Sequence, residues 1–541
     1  MAKKRKKSYT EIKKERMYAK VDSWQGKLAG ALAVLILSVQ PLYINWDRYF
    51  GLTWHKFLLF VIYMVCAIIA AIIIWIYRAS VAPRLLPRGK LTMIDWAVLC
   101  FAVVTVIAAL FSPFREETNV WLGTPEPEGR YDGAITQLLY VAVYFIVSRW
   151  YKPKTRHFTI FGISAIIIAL IGIFQFFGMD FLGLYPNEYP EYRVDNYYNI
   201  IFRSTLGNVN IVSTYVCIAI LLSGFLFVRH KPPERGPNGK ISGRWKHPLW
   251  LAASALSFWL MVLAGSDSGL VGTVAATFLA IPFIVETRKT LGRFLVLASS
   301  WVAVFTLHRL FYNALATGKI TPSSLLLYAA AFALLLAAGL ALALAGKEPV
   351  ASGPARWKLG AALIVAILAV GLVGIEIFGK QATSSAFAGR VLHEAREILH
   401  GNIDDTFGTN RVYIWRNALK GFVKNPVIGS GPDTFKQAFP AEAHGFYGED
   451  YDKAHNEYIQ ILVCQGIIGF LSYMIYLAGV FLKSIKKAFA KPFVMAVLAA
   501  FTGYCVQAFF NISVPIASQL FWVLAAMLAN RHFRDGPLTE L

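Results

Sequence analysis

The feature that most constrains this chain is the recurrence of segments of about twenty predominantly apolar residues. Coiled as a helix, such a segment satisfies its own backbone hydrogen bonds across a ~30 Å hydrocarbon layer, which irregular polar backbone cannot do. Fourteen segments fit this description, centred near 28–45, 55–77, 93–112, 133–150, 156–177, 206–228, 248–265, 269–285, 291–312, 321–345, 357–378, 455–482, 492–511 and 515–530. Composition agrees, since 57% of the 541 residues are hydrophobic, 16% are charged, and mean hydropathy is +0.52. No soluble core needs so much apolar sequence. The chain reads as an all-α polytopic membrane protein with about fourteen transmembrane helices (12–14).

The lysines and arginines set the orientation. The start, MAKKRKKSYTEIKKERMYAK, is strongly basic, and no small-residue cleavage site follows the first apolar run, so residues 1–27 are expected to be a retained cytoplasmic tail. Alternating fourteen spans from there puts roughly two thirds of the 53 lysines and arginines in the tails and loops placed inside, among them SRWYKPKTRH and KSIKKAFAK. The net charge of +22 then signals topology and contact with anionic membrane lipids, and no nucleic-acid partner is implied. The expected organisation is a bundle of about eleven helices over 28–378, an extracytoplasmic helical lid over 379–454, about three helices over 455–530, and a cytoplasmic tail at 531–541. Five cysteines (Cys66, Cys100, Cys217, Cys464, Cys505) fall inside spans without metal-ligand spacing and read as packing residues.

Inner loops carry no phosphate-cradling motif, so chemistry belongs to the three long outer segments, 113–132, 178–205 and 379–454. In the last, TNRVYIWRNALKGFVKNP (409–426) has helical periodicity. Thr409 is a plausible N-cap, and Asn425-Pro426 a stop. Val412, Trp415, Leu419 and Phe422 share one face, Arg416, Lys420 and Lys424 the opposite one, and Arg411 sits at the edge of the apolar face. The basic stripe reads as a solvated face. An arginine directed inward needs an anionic partner, which makes Arg411 a ligand candidate. Gly429 and Gly431 permit a tight turn or a backbone nest for an anion.

Helices entering from outside present their N-termini there. Three are preceded by polar clusters: Gly129-Arg130-Tyr131-Asp132-Gly133, Arg203-Ser204-Thr205-Leu206-Gly207-Asn208-Val209-Asn210, and His455-Asn456-Glu457. Unpaired N–H groups and the helix dipole favour an anion at such ends, and an arginine adds bidentate geometry. If these ends converge they form a diphosphate site; otherwise Arg130 and Arg203 snorkel at the interface. His455, beside a positive helix end and cationic side chains, is expected to be neutral, as a general base must be. Asn456 and Glu457 both suit capping; Glu457 can also fix the imidazole tautomer, with the structural reading ahead. An Asp-x-Asp in EDYD (449–452) with His444 nearby is weak support for a metal, and none is expected.

The order GRYDG, R-x-x-x-G-N-x-N, R-x-x-x-W-R with N-P-x-x-G-x-G-x-x-T-F, and H-N-E-Y with G-x-x-G resembles the O-antigen ligase/polymerase superfamily, with the densest likeness over 410–470. The resemblance implies a GT-C-like membrane glycosyltransferase that takes its glycan from an undecaprenyl-diphosphate-linked donor. It implies inverting, metal-independent transfer without cofactor to a glycan, lipid or protein hydroxyl on the outer face of the cytoplasmic membrane. By motif position His455 is the catalytic histidine, and Arg203, Arg411 and Arg130 hold the diphosphate. Asn456, Glu457, Asn208, Asn210, Arg416, Trp415, Gly429 and Gly431 are supporting residues. Where many relatives have Ser-Arg-Gly, this chain has Gly265-Ser266-Asp267-Ser268-Gly269. The alternative is a flippase for lipid-linked glycans.

Overall fold

Each of the fourteen apolar segments forms a helix in the computed structural model, which describes the chain except residues 1–8, 47, 50, 82–89, 126–129, 185–201, 231–244, 317–321, 347, 352, 380–386, 446–450 and 537–541. In chain order they are α1 (Tyr9–Val34, continued through a π-turn to Leu42), α2 (Leu52–Val81), α3 (Met93–Leu110), α4 (Ala134–Trp150), α5 (Thr155–Phe176), α6 (Val209–Arg229), α7 (Lys246–Ala264) and α8 (Asp267–Ile284). These are followed by α9 (Arg288–Ala316), α10 (Pro322–Leu344) and α11 (Pro354–Gly379), then two lid helices, α12 (Phe387–His400) and α13 (Phe407–Lys424). The last three apolar helices are α14 (Glu457–Ala488), α15 (Pro492–Gln507) and α16 (Ser518–Ala529). The only strands among the described residues are the antiparallel pair β1 (Phe202–Arg203) and β2 (Gly207–Asn208), which open α6.

Twelve of these helices are long and apolar enough to cross a membrane; α4 and α16 are shorter. At 1.5 Å per residue, the 12 residues of α16 reach only about 18 Å. Length and composition thus single out twelve helices, within the expected range of 12–14, with α4 and α16 as the two shorter apolar helices. The most apolar stretch of α6 is wholly buried, packed between α7, α8, α9 and α15, whereas α10, packed on α9, and α11 bury few of their residues fully. Away from the lid, charged groups are tied down. Arg149 reaches Asp95 at 2.8 Å, Arg229 pairs with Glu286 and donates to the Phe489 carbonyl at 2.6 Å, and the Arg356 guanidinium lies 3.8 Å from the Phe489 ring centroid. All five cysteines are unbridged, and the packing role holds for Cys217 and Cys464. It fails for Cys66 and Cys100, which lie on the exposed surface of the bundle.

The lid packs directly on α14. Tyr413, Ile414, Ala418, Phe435, Phe439 and Tyr451 form one cluster with Val463 and Cys464. Two expectations for α13 need correction. Thr409 is not its N-cap: Gly408, Thr409 and Asn410 are all left-handed, a kink that leaves regular helix only from Arg411. The buried face is Tyr413, Ile414, Asn417, Ala418 and Gly421, and Leu419 is 45% exposed. Small residues decide this rotation, because a Cβ on Gly421 would meet the Ala438 carbonyl at 2.3 Å. The predicted basic stripe is on the surface, with Arg416 paired to Asp405 at 2.9 Å.

Close backbone approach also joins α8 to α15, where a Cβ on Gly272 would stand 2.4 Å from the Gly503 carbonyl oxygen. Gly272→Ala is expected to destabilise the purified protein by about 1–3 kcal/mol, the usual range for overpacking. Gly371→Ala, with nothing within 4 Å of its added methyl, should not. Thermal unfolding in detergent compares the two.

Candidate active site

Helix α14 is broken at Gly466, whose φ of 65° and ψ of −172° interrupt its hydrogen-bond ladder. The turn after α13 fills the gap. Ser430 and Gly431 donate their N–H groups to the carbonyls of Val463 and Cys464 at 2.9 and 3.0 Å, and Ile467 donates to Pro426 at 2.8 Å. Two glycines make this approach possible. A Cβ on Gly429 would lie 2.3 Å from the Cys464 carbonyl carbon, and one on Gly466 2.4 Å from Val427. The N–H groups of Gly429, Ser430 and Gly431 all have carbonyl partners, Gly429 donating to Asn425 at 3.0 Å. Of the two readings of Gly429 and Gly431, tight turn or anion nest, these pairings favour the turn.

His455 stands just before the N-cap of α14. Asn456 is that cap, its side-chain oxygen accepting from the N–H groups of Tyr458 and Ile459 at 3.0 and 3.1 Å, while its buried Nδ2 has no partner among the described residues. His455 itself has a φ of 48°, a left-handed conformation uncommon outside glycine and found where surrounding structure enforces it. Lid and bundle both enforce it here. The Trp415 indole donates to the Ala454 carbonyl at 3.0 Å, and the Arg130 Nε meets the Asp452 carboxylate at 3.1 Å. Burial, then the positive charges of Arg411 and Arg130, push the imidazole down to about 4 against the pull of Asp452, so it is neutral near pH 7.

The structure thus brings Arg130, Arg411, Trp415, Asn456 and His455 together. Arg411 donates to the Gly408 carbonyl at 2.8 Å and lines a largely apolar cleft with Asp267, Ser268, Glu394, Trp415 and Phe510. The chain's departure at Asp267 therefore sets a carboxylate in the same cleft as the Arg411 guanidinium. Asn208 caps α6 by accepting from the Asn210 N–H at 2.8 Å, and the Asn210 side chain accepts from Ser266 at 3.1 Å. Arg203 is placed by its backbone, paired with Gly207; its side chain lies outside the described residues, as do Asp450 and most of the 178–205 segment.

Glu457 is structural, although not as a cap. Its carboxylate accepts from the Tyr473 and Tyr504 hydroxyls at 2.6 and 2.8 Å inside the bundle, so it knits α14 to α15 rather than fixing the imidazole tautomer. His444 faces the Lys436 carbonyl at 3.0 Å, and no group of three or more potential metal ligands occurs among the described residues.

Sequence reasoning missed a buried ion cluster one layer below. Lys453 meets Asp433 at 2.6 Å and Asp132 at 3.7 Å, each with a side chain no more than 4% exposed. Burial pulls the Lys453 ammonium down, but Asp433 and Asp132 outweigh it and raise it overall. Burial holds Asp132 at about 7 despite the opposing Lys453 charge. The signal was available: a lysine directly before an apolar helix needs a carboxylate, and Asp132 and Asp433 stand in the two motifs nearest to it.

Residues 323–474 match the O-antigen ligase family. The matched stretch contains both lid helices, the Gly429–Gly431 turn, His455 and the Gly466 break. It supports the O-antigen ligase/polymerase superfamily and indicates glycan transfer of the O-antigen ligase kind. No curated protein matches the chain.

The cap at Asn456 gives a direct test of how α14 starts. Asn456→Ala should cost about 0.5–2 kcal/mol and Asn456→Asp much less, because only the side-chain oxygen caps the helix. Thermal melts of the purified variants measure this.

Proposed function

We propose, from the O-antigen ligase match across the lid and His455, that this multi-pass membrane protein is a metal-independent, inverting glycosyltransferase. It takes a glycan from an undecaprenyl-diphosphate carrier and joins it to an acceptor hydroxyl on the outer face of the cytoplasmic membrane, both termini lying inside. The observation that carries this reading is the neutral His455 imidazole, held on a strained backbone under the influence of Arg411 and Arg130.

A glycan on a lipid diphosphate is already activated, so three tasks remain. The acceptor hydroxyl gives its proton to an imidazole nitrogen of His455, its oxygen attacks the anomeric carbon from the face opposite the diphosphate, and the glycosidic C–O bond to the diphosphate breaks. The configuration inverts, and both bonding electrons leave with the diphosphate oxygen. Arg411 stabilises that developing charge from the wall of the cleft. Arg130 joins it by exchanging Asp452 for the diphosphate, and Arg203 approaches from the hairpin before α6. Asn456 keeps one amide N–H pair for orienting the acceptor.

His455→Ala should leave folding and donor binding in place and reduce transfer by roughly 10²–10⁴-fold, whereas Arg411→Ala should also weaken donor binding. Purified protein incubated with polyprenyl-diphosphate glycan and candidate acceptors provides the assay. Transbilayer movement of the lipid without covalent product would instead make the protein a flippase.

The pH profile is a second test. A base with its imidazole near 4 stays unprotonated through the whole physiological range, so kcat/KM should hold level as pH falls past 6.5 and decline only as pH nears 4. A midpoint near 6.5 would show that the acting base lies in an ordinary aqueous environment.

A further inference from the structure

The Asp433 carboxylate does more than neutralise Lys453. Its Oδ1 accepts from the Lys453 ammonium at 2.6 Å, while Oδ2 accepts from the backbone N–H of Thr124 at 2.9 Å and lies 3.4 Å from that of Arg130. Three separate stretches of chain thus meet on one side chain: the α13–α14 turn, the segment before α4, and the segment before α14. Asp433 holds a left-handed φ of 58°, and Tyr131 and His455 are left-handed as well. Asp433 stands two residues after Gly431, in the turn that fills the α14 break, so its own position is fixed by that backbone pairing.

The register of these contacts matters. Lys453 is two residues before His455, and Arg130 is two residues before Asp132, the second carboxylate on Lys453. We infer that Asp433 and Lys453 are positioning residues for glycan transfer, a buried clamp that sets the separation between the Arg130 segment, which meets the leaving diphosphate, and the His455 segment, which carries the base. Neither side chain touches substrate. The clamp acts by holding two backbones that approach from different helices, where a displacement of about 1 Å costs on the order of 10²-fold in rate. A buried ion pair is weak evidence for added stability, since apolar replacements often do as well, so its directional hold on two amide groups is the stronger reason for its presence.

This inference rests on the reading of His455 as the base, and the experiment separates the two. The full-length protein is compared with His455→Ala, with the double variant Asp433→Asn/Lys453→Met, and with Asp433→Glu. The double variant removes one buried charge of each sign; Asp433→Glu keeps the charge and lengthens the arm. Polyprenyl-diphosphate glycan extracted from the producing cells serves as donor, and the same extract supplies acceptors. Both clamp variants are expected to elute as monodisperse protein with melting close to wild type, to lose tenfold or more in kcat, and to keep their KM for donor within about threefold.

A second readout distinguishes alignment from general support. The groups acting on the His455 ring are Arg411, Arg130 and Asp452. Once the clamp is loosened, water reaches the His455 ring, so the acid limb of kcat/KM should rise by a pH unit or more. Folded variants with wild-type kcat and an unshifted acid limb, while His455→Ala is inactive, overturn the clamp alone. Wild-type turnover by His455→Ala overturns the base reading and the clamp with it. Failure of both clamp variants to fold also overturns it, because the pair would then determine folding rather than alignment.

Discussion

The interrupted hydrogen-bond ladder at Gly466 is the constraint on which the rest of the site depends. Away from water, carbonyls and N–H groups released by a helix break must find partners, and here the turn after α13 supplies them. That requirement fixes the lid against the bundle more firmly than apolar packing alone, since a register shift of one residue would orphan several buried backbone groups at once. It also explains why the glycines at positions 429 and 466 are needed: each is left-handed, and each lies where any Cβ would overlap backbone.

From that joint, order passes outward in two directions. Toward the cleft, α13 carries Arg411 and Trp415, and the indole holds the carbonyl just before His455. Toward the bundle, Asp433 gathers the segments before α4 and α14. The imidazole thus lies between the Arg411 guanidinium of the lid and the buried Lys453, Asp433 and Asp132 cluster. Its neutrality follows from burial and from the arginines. Asp452 moderates the effect and pairs with Arg130, so an incoming anion and this carboxylate compete for one guanidinium.

Much of the fold was legible in the sequence because hydrocarbon-spanning helices announce themselves in one dimension, through length and continuous apolarity. All fourteen apolar segments are helical, and Asn425-Pro426 ends α13 as expected. The face of α13 was less legible. Periodicity sees hydrophobicity, but contact with Ala438 selected the small residues Ala418 and Gly421 and turned Leu419 outward. At the glycine-rich turn, a nest and a packing turn have the same sequence, and the position of the α14 carbonyls distinguishes them in favour of the turn. Glu457 read as a structural residue first and a partner of His455 second, but its actual contacts, two tyrosines inside the bundle, have no signature in the local sequence.

Of the residues in H-N-E-Y and N-P-x-x-G-x-G, the asparagine caps a helix, the glutamate braces the bundle, and the glycines admit a turn into a broken helix. Histidine is the member of H-N-E whose side chain is turned neither to a cap nor to the tyrosine pair. A family motif can therefore be dense in structural residues and still centre on one chemical group, because placing a strained, neutral imidazole beside two guanidiniums needs every neighbouring backbone position fixed. The strain at His455 and Asp433, which ordinary helix and turn sequences avoid, persists because the ladder at Gly466 and the carboxylate at position 433 restrain the same short stretch from opposite ends.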